Sequence, residues 1–398
     1  MVGTNIGIPS LDIDRARRDT PGCRSAVYLD SAGASLMPSS VAQTMVTYIH
    51  QELEFGGHEA ARIAASELAA VYGNIAYLLG CSTDEVAIVD SGTRAWQMAL
   101  ACFNFEPGDR ILTTRNEYGS NLLAVQQAAH RRGASVEFVD TESDGSISIE
   151  DLRRRLDRDV RLITLCHALS NSGAINPADA VGSLARQEGI PFLLDCCQSV
   201  GQLQTNVEHL SCDMLCGTGR KWLRGPRGTA FLYIRRELAC ALEPPFANLH
   251  AGEWTRTGFI PSHDARMFET WEASYADRLG LSAAVEYALS WGIDNIRARV
   301  AALSSHLRKA LSERPGIIVH DKGQTLSGIV TFSVDGVSSV TLRRRLRTSN
   351  IRLSLCRASH ARLDSPPRDS TDLLRASPHY FNTEEEIALL AAALTEGG

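Results

Sequence analysis

At 398 residues, with 44% hydrophobic and 22% charged side chains, the chain is long enough for two domains and has the composition of a globular enzyme. Its net charge of -6 gives no electrostatic reason to expect nucleic acid or an anionic membrane as a partner. No apolar run approaches the ~20 residues of a membrane span, and the opening Met1-Val-Gly-Thr-Asn-Ile-Gly does not read as a secretory signal, so a cytoplasmic location is expected.

Residues 1–26 read as an irregular arm with one short helix at 13–18. A short strand at 27–30 runs into the small-residue turn Ser31-Ala32-Gly33-Ala34, and helices at 39–54 and 59–79 follow, parted by Gly56-Gly57. From there the pattern alternates. Strands at 87–90, 110–114, 135–139, 160–165 and 191–195 are interleaved with helices at 92–103, 121–132, 149–156 and 177–188; strand-like runs at 212–215 and 229–234 close the series. Short apolar runs separated by helical segments predict βαβ units, hence an α/β fold with a mostly parallel central sheet sandwiched by helices. After residue 262 the order changes to helices at 279–291, 293–313, 341–349 and 383–395 with β-runs at 317–320, 328–334 and 351–355, a smaller α+β unit. The expected division is an arm (1–26), a large domain (27–261) and a small C-terminal domain (262–398).

Ligands of parallel sheets sit at the carboxyl ends of the strands, and the chemistry-bearing residues follow that rule. Ser91-Gly92-Thr93-Arg94 opens a helix, where unpaired N–H groups and the helix dipole suit a phosphate; a plain serine N-cap is the alternative. Tyr118 follows the next strand and is placed either to lie on an aromatic ring or to pack. Asn171 follows the fourth and can donate to a phenolate or a substrate carboxylate. Asp195 ends the buried run Phe192-Leu193-Leu194, where a carboxylate is costly unless a cation meets it. A protonated pyridinium is such a cation, and Gln198 is near enough in sequence to touch the same ring; an aspartate capping the next helix is the alternative. The run Gly217-Thr218-Gly219-Arg220-Lys221 leads into the turn Gly225-Pro226-Arg227-Gly228. Its glycines let backbone approach a ligand, Thr218 and Arg220 can meet a phosphate, and Lys221 can form a Schiff base with an aldehyde. A hairpin with a solvated lysine is the bland alternative. Phosphate cradle, ring-stacking aromatic, carboxylate and lysine, each at a strand end, are the inventory for pyridoxal 5'-phosphate.

With these residues in place, residues 27–390 resemble the class V aminotransferase group of fold-type I pyridoxal-phosphate enzymes, which includes cysteine desulfurases, isopenicillin N epimerase-like proteins and C–S lyases. The marks are Tyr28-Leu-Asp-Ser-Ala, Asp195-Cys-Cys-Gln198, Gly219-Arg220-Lys221 with Gly225-Pro226, and Leu374-Arg375-Ala-Ser-Pro-His-Tyr-Phe-Asn382. The resemblance implies that Lys221 holds the cofactor and moves protons, Asp195 pairs with the ring nitrogen and Gln198 with the phenolate oxygen. It implies that Tyr118 stands where many desulfurases have a histidine, and that Gly92, Thr93, Thr218 and Arg220 bind phosphate. Arg375 would clamp a substrate α-carboxylate, assisted by Asn171. It further implies a homodimer with the site at the subunit boundary, with Gly252-Glu-Trp254-Thr255 as the partner's contribution.

The ten cysteines form no paired metal-binding spacing, no metal is expected, and the adjacent Cys196 and Cys197 read as small buried hydrophobes. A desulfurase needs a nucleophilic cysteine on a mobile loop before the final Arg-Ala-Ser segment. Cys356 is the candidate, but small flexible neighbours are missing and its offset to Arg375 differs. The expected reaction is therefore β-elimination on an S-substituted cysteine, a C–S lyase acting on a small amino acid. Alternatives are decarboxylating deamination of the same conjugate, desulfuration through Cys356, or transamination. A non-catalytic cofactor-binding scaffold is disfavoured because Lys221 and Asp195 are both intact.

Overall fold

The computed structural model describes residues 11–323, 325–361, 363 and 371–395. The first ten residues of the expected arm therefore lie outside the described residues. A seven-stranded sheet organises the first two-thirds of the chain. Its strands are β1 (Val86–Val89), β2 (Arg110–Thr114), β3 (Ser135–Val139), β4 (Val160–Cys166), β5 (Phe192–Asp195), β6 (Met214–Thr218) and β7 (Ala230–Ile234), in the spatial order 1-7-6-5-4-2-3. Only β7 runs against its neighbours; the other six point the same way.

Alternate residues along these strands enter different layers. Ile88, Leu112, Leu194 and Leu215 join one core cluster, while Val89, Ile111, Leu193 and Met214 join another. Both faces are thus covered, which is why the strands read as continuous apolar runs rather than as alternating ones. Helix Ser39–Phe55 stops at Gly56, whose φ is 78°, and the helix expected over 59–79 is two, Gly57–Ile63 and Ala65–Leu79. Helix Gly119–Arg132 stops at Gly133 in the left-handed region, where glycine carries no Cβ penalty.

The C-terminal part carries a four-stranded antiparallel sheet in the order Ile317–Val319, Val330–Val334, Leu373–Ala376, Ser354–Cys356. Helix Tyr275–Trp291 packs on Ser39–Phe55 and Ala65–Leu79 and sends Leu281, Val285 and Ala288 into a core of the large sheet. The following helix, Ile293–Ser312, is shared between cores: Ile296 and Val300 lie in the first, Leu303, Leu307 and Leu311 in the C-terminal one. The strand expected over 351–355 is two pieces. Ile351–Arg352 pairs in parallel with Val27–Tyr28, and Ser354–Cys356 pairs with Leu373–Ala376. One alternating run thus serves two different partner strands. No helix among the described residues is long and apolar enough to cross a membrane.

Candidate active site

The carboxyl ends of β1, β2, β4, β5 and β6 surround a cavity of about 330 Å³. Gly92, Thr93 and Thr218 line it together with Arg220, Lys221 and Tyr118, and so do Asp195 and Gln198. A second cavity of about 560 Å³ shares Tyr118, Ser170, Gln198, Arg220 and Lys221 with the first. Asn171 and Arg375 line only this second one, with Cys356. The residues singled out at the strand ends are therefore brought together, and they sort into two adjoining spaces.

Ser91 is the N-cap of helix Gly92–Ala101; its hydroxyl accepts from the Arg94 N–H at 3.2 Å. The serine cap satisfies one N–H of the helix start, and Gly92 and Thr93 beside it line the cavity, so the cap does not compete with an anion site there. A Cβ on Gly92 would stand 2.4 Å from the Cys197 thiol, so this turn tolerates no side chain. Burial holds the Lys221 amine below the ordinary lysine range. That favours the neutral amine a Schiff base requires.

Asp195 is 6% exposed. One oxygen accepts from the Cys197 backbone N–H at 2.8 Å, the other from the Asn121 side chain at 2.7 Å. It does not simply cap a helix. Gln198 is fixed at both ends, donating to the Ala32 carbonyl at 3.1 Å and accepting from Trp222 Nε1 at 3.0 Å. Arg220 donates to the Gly33 carbonyl, which ties the lysine loop to the turn after Val27–Tyr28. Tyr118, at 42% exposure, forms part of the wall of both cavities.

In the second cavity, the Ser170 carbonyl accepts from Arg375 Nη1 at 3.3 Å and lies 3.6 Å from the Cys356 sulfur. Arg375 also meets Asp30 at 3.6 Å. Ser354 pairs with Arg375 and Cys356 with Leu373, so the period-2 pleat puts Cys356 and Arg375 on one face of the sheet. Asn121, Glu117 and Ser170 went unnoticed in the sequence. An acid and an amide four residues apart at a strand end, Glu117 and Asn121, were the available signal for the first two.

The model of the family described as "Aminotransferase class-V" matches residues 27–390. The chain belongs to the aminotransferase class-V family. A probable cysteine desulfurase of Synechocystis is 28% identical over 386 residues, covering 92% of this chain and 90% of that protein. A probable cysteine desulfurase of Methanothermobacter thermautotrophicus is 26% identical and covers 96% of each. Among solved structures, the apo cysteine desulfurase of Thermococcus onnurineus NA1 superposes with a TM-score of 0.90 at 24% identity, covering 96% of this chain and 97% of that one. The cystine C–S lyase C-DES, in complex with cysteine persulfide, gives 0.86 at 23% identity over 95% and 100%. At these identities the structural likeness carries the fold alone.

Family membership brings pyridoxal 5'-phosphate as the cofactor, and the first cavity fits it. The side-chain-free cradle at Gly92, the depressed Lys221 amine and the oriented Asp195 carboxylate are the donor, nucleophile and acceptor that the phosphate, aldehyde and ring nitrogen need.

Proposed function

We propose that the chain is a cysteine desulfurase that takes sulfur from Cβ of cysteine onto Cys356, and that it works as a homodimer. The observation that carries this reading is the shared Ser170 carbonyl, which gathers Cys356 and Arg375 in one cavity with Lys221. When bound, pyridoxal phosphate accepts the electron pair released at the substrate's Cα. Arg375 binds the α-carboxylate through its guanidinium fork, held by Ser170 and Asp30, with Asn171 beside it. Lys221, whose desolvated setting holds its amine below the ordinary lysine range, takes and returns protons at Cα and Cβ. Cys356 attacks the substrate sulfur as thiolate; the C–S bond breaks, its electron pair goes to Cβ, and a proton follows. The balance is cysteine plus Cys356 thiol giving alanine plus Cys356 persulfide, with no external oxidant. The curated relatives named as desulfurases span nearly the whole chain and support this reading over elimination.

A C–S lyase keeps one observation in its favour. Cys356 is 2% exposed at the end of a paired strand rather than on a free loop, and elimination needs Lys221 but no thiol. The discriminating assay incubates holoenzyme with cysteine and measures alanine, pyruvate and Cys356 persulfide by alkylation and mass spectrometry. Desulfuration gives alanine and a persulfide, both lost in Cys356→Ser. Pyruvate as product with Cys356→Ser fully active would establish the lyase instead.

A further inference from the structure

Two buried carboxyl groups meet beside the cavities: Asp195 lines the first and Glu117 the second. Glu117 is 3% exposed and follows β2; Asp195 ends β5. The Asn121 side-chain nitrogen donates to both, at 3.1 Å to Glu117 and 2.7 Å to Asp195. The Tyr118 backbone N–H donates to the same Glu117 oxygen at 2.8 Å. One oxygen of each carboxyl and the Cys166 sulfur lie within 4.8 Å of one another, all buried. Among the described residues, the Asn121 amide is the side chain hydrogen-bonded to both acids. No arginine or lysine salt bridge reaches Glu117 among the described residues, so hydrogen bonds rather than a countercharge are what meet a negative charge there.

We propose that Glu117 is a positioning residue that sets, through the Asn121 amide, both the orientation and the charge environment of the carboxylate facing the cofactor's ring nitrogen. The proposal rests on the assignment of Asp195 to that nitrogen. Glu117 acts as a neutral carboxylic acid. It anchors one hydrogen of the Asn121 amide, which aims the other at Asp195, and it leaves Asp195 as the sole anion at that end. Two carboxyl groups this close share the ability to ionise unequally. Burial first, and the Asp195 charge next, push the Glu117 carboxyl up to about 8.

The titratable groups around this pair come from four elements. They are Cys166 at the end of β4, Cys197 after β5, Lys221 after β6 and Tyr118 beside Glu117 itself. Burial pushes both thiols far up, so they stay neutral through the range of interest. Below the Glu117 midpoint the acid is neutral; above it a second negative charge appears beside Asp195.

The test compares wild type, Glu117→Gln, Glu117→Ala and Asp195→Asn, each shown to be folded by circular dichroism. In the apoenzyme, the infrared band of a buried protonated carboxyl should titrate near pH 8 and be absent from Glu117→Gln. In the holoenzyme, the visible spectrum should carry an inflection in the same region that Glu117→Gln loses while keeping wild-type cofactor affinity. Glu117→Ala should bind pyridoxal phosphate about tenfold more weakly, the size of one hydrogen bond to a charged group. If Glu117 only supports the loop, the wild-type holoenzyme spectrum shows no inflection near pH 8 that Glu117→Gln removes, and the proposal falls. If Asp195→Asn leaves cofactor affinity and spectrum unchanged, the ring-nitrogen assignment itself is wrong, whatever Glu117 does.

Discussion

Single side chains at this site gain their properties from what surrounds them. Lys221 is an ordinary lysine in composition, but desolvation disfavours its charge and holds it below the ordinary lysine range, which favours the amine as nucleophile. The expected consequence is direct. Borohydride treatment of the holoenzyme should fix the cofactor mass on the Lys221 peptide and bleach a band near ~420 nm, the region expected of a protonated lysine imine. Lys221→Ala should show neither by mass spectrometry or absorbance, and labelling at another lysine in the wild type would contradict the assignment. Residue identity alone made Lys221, Asp195 and Arg375 legible as candidates. The Glu117–Asn121–Asp195 link was not, because a hydrogen bond across 74 positions leaves no mark in local sequence.

At the scale of elements, strands were the readable part. Runs 110–114 and 135–139 coincide with β2 and β3, since β-branched and apolar residues bounded by turn and helix signals mark a strand locally. Breaks were less readable. The run over 351–355 alternates apolar and polar like a single strand, yet its two halves pair with different strands, a decision made by distant partners. The same distant logic governs Gly201. Its φ is 94°, and a Cβ there would lie 2.5 Å from the Trp222 carbonyl carbon, immediately beyond Lys221. Gly201→Ala should lower the free energy of unfolding by on the order of 1–3 kcal/mol from backbone strain alone, seen as an earlier denaturation midpoint. It should also loosen cofactor retention, because the displaced backbone carries the lysine loop. An unchanged midpoint would show that the loop absorbs the extra atom.

At the scale of the whole molecule, the C-terminal unit matters to the site because it delivers Arg375 and Cys356 to a cavity made by the large sheet. The shared helix Ile293–Ser312, with a foot in both cores, fixes that delivery. The hairpin of Gly252–Thr255 and Gly258–Pro261 stands out from the rest, with Trp254 82% exposed and Phe246, Leu249 and Ile260 also open. Such an exposed apolar face favours burial against another protein, and the proposed homodimer supplies a second copy. Sedimentation should give the mass of two chains, and Trp254→Asp with Phe259→Asp should shift it toward one. A monomeric wild type at micromolar concentration would remove this part of the proposal.

The sequence by itself determined the alternation of strands and helices, the strand ends as the place of chemistry, and the family. The first two follow from apolar periodicity and from residue types whose chemistry is local; the family follows from the resemblance that its motifs carry. The reaction lay beyond it. Reading Cys356 by its offset from Arg375 argued against a thiol in the site, whereas the antiparallel pairing of their strands places both on one face, touching one carbonyl. Distance along the chain does not measure distance across a sheet, and only tertiary pairing converts the first into the second.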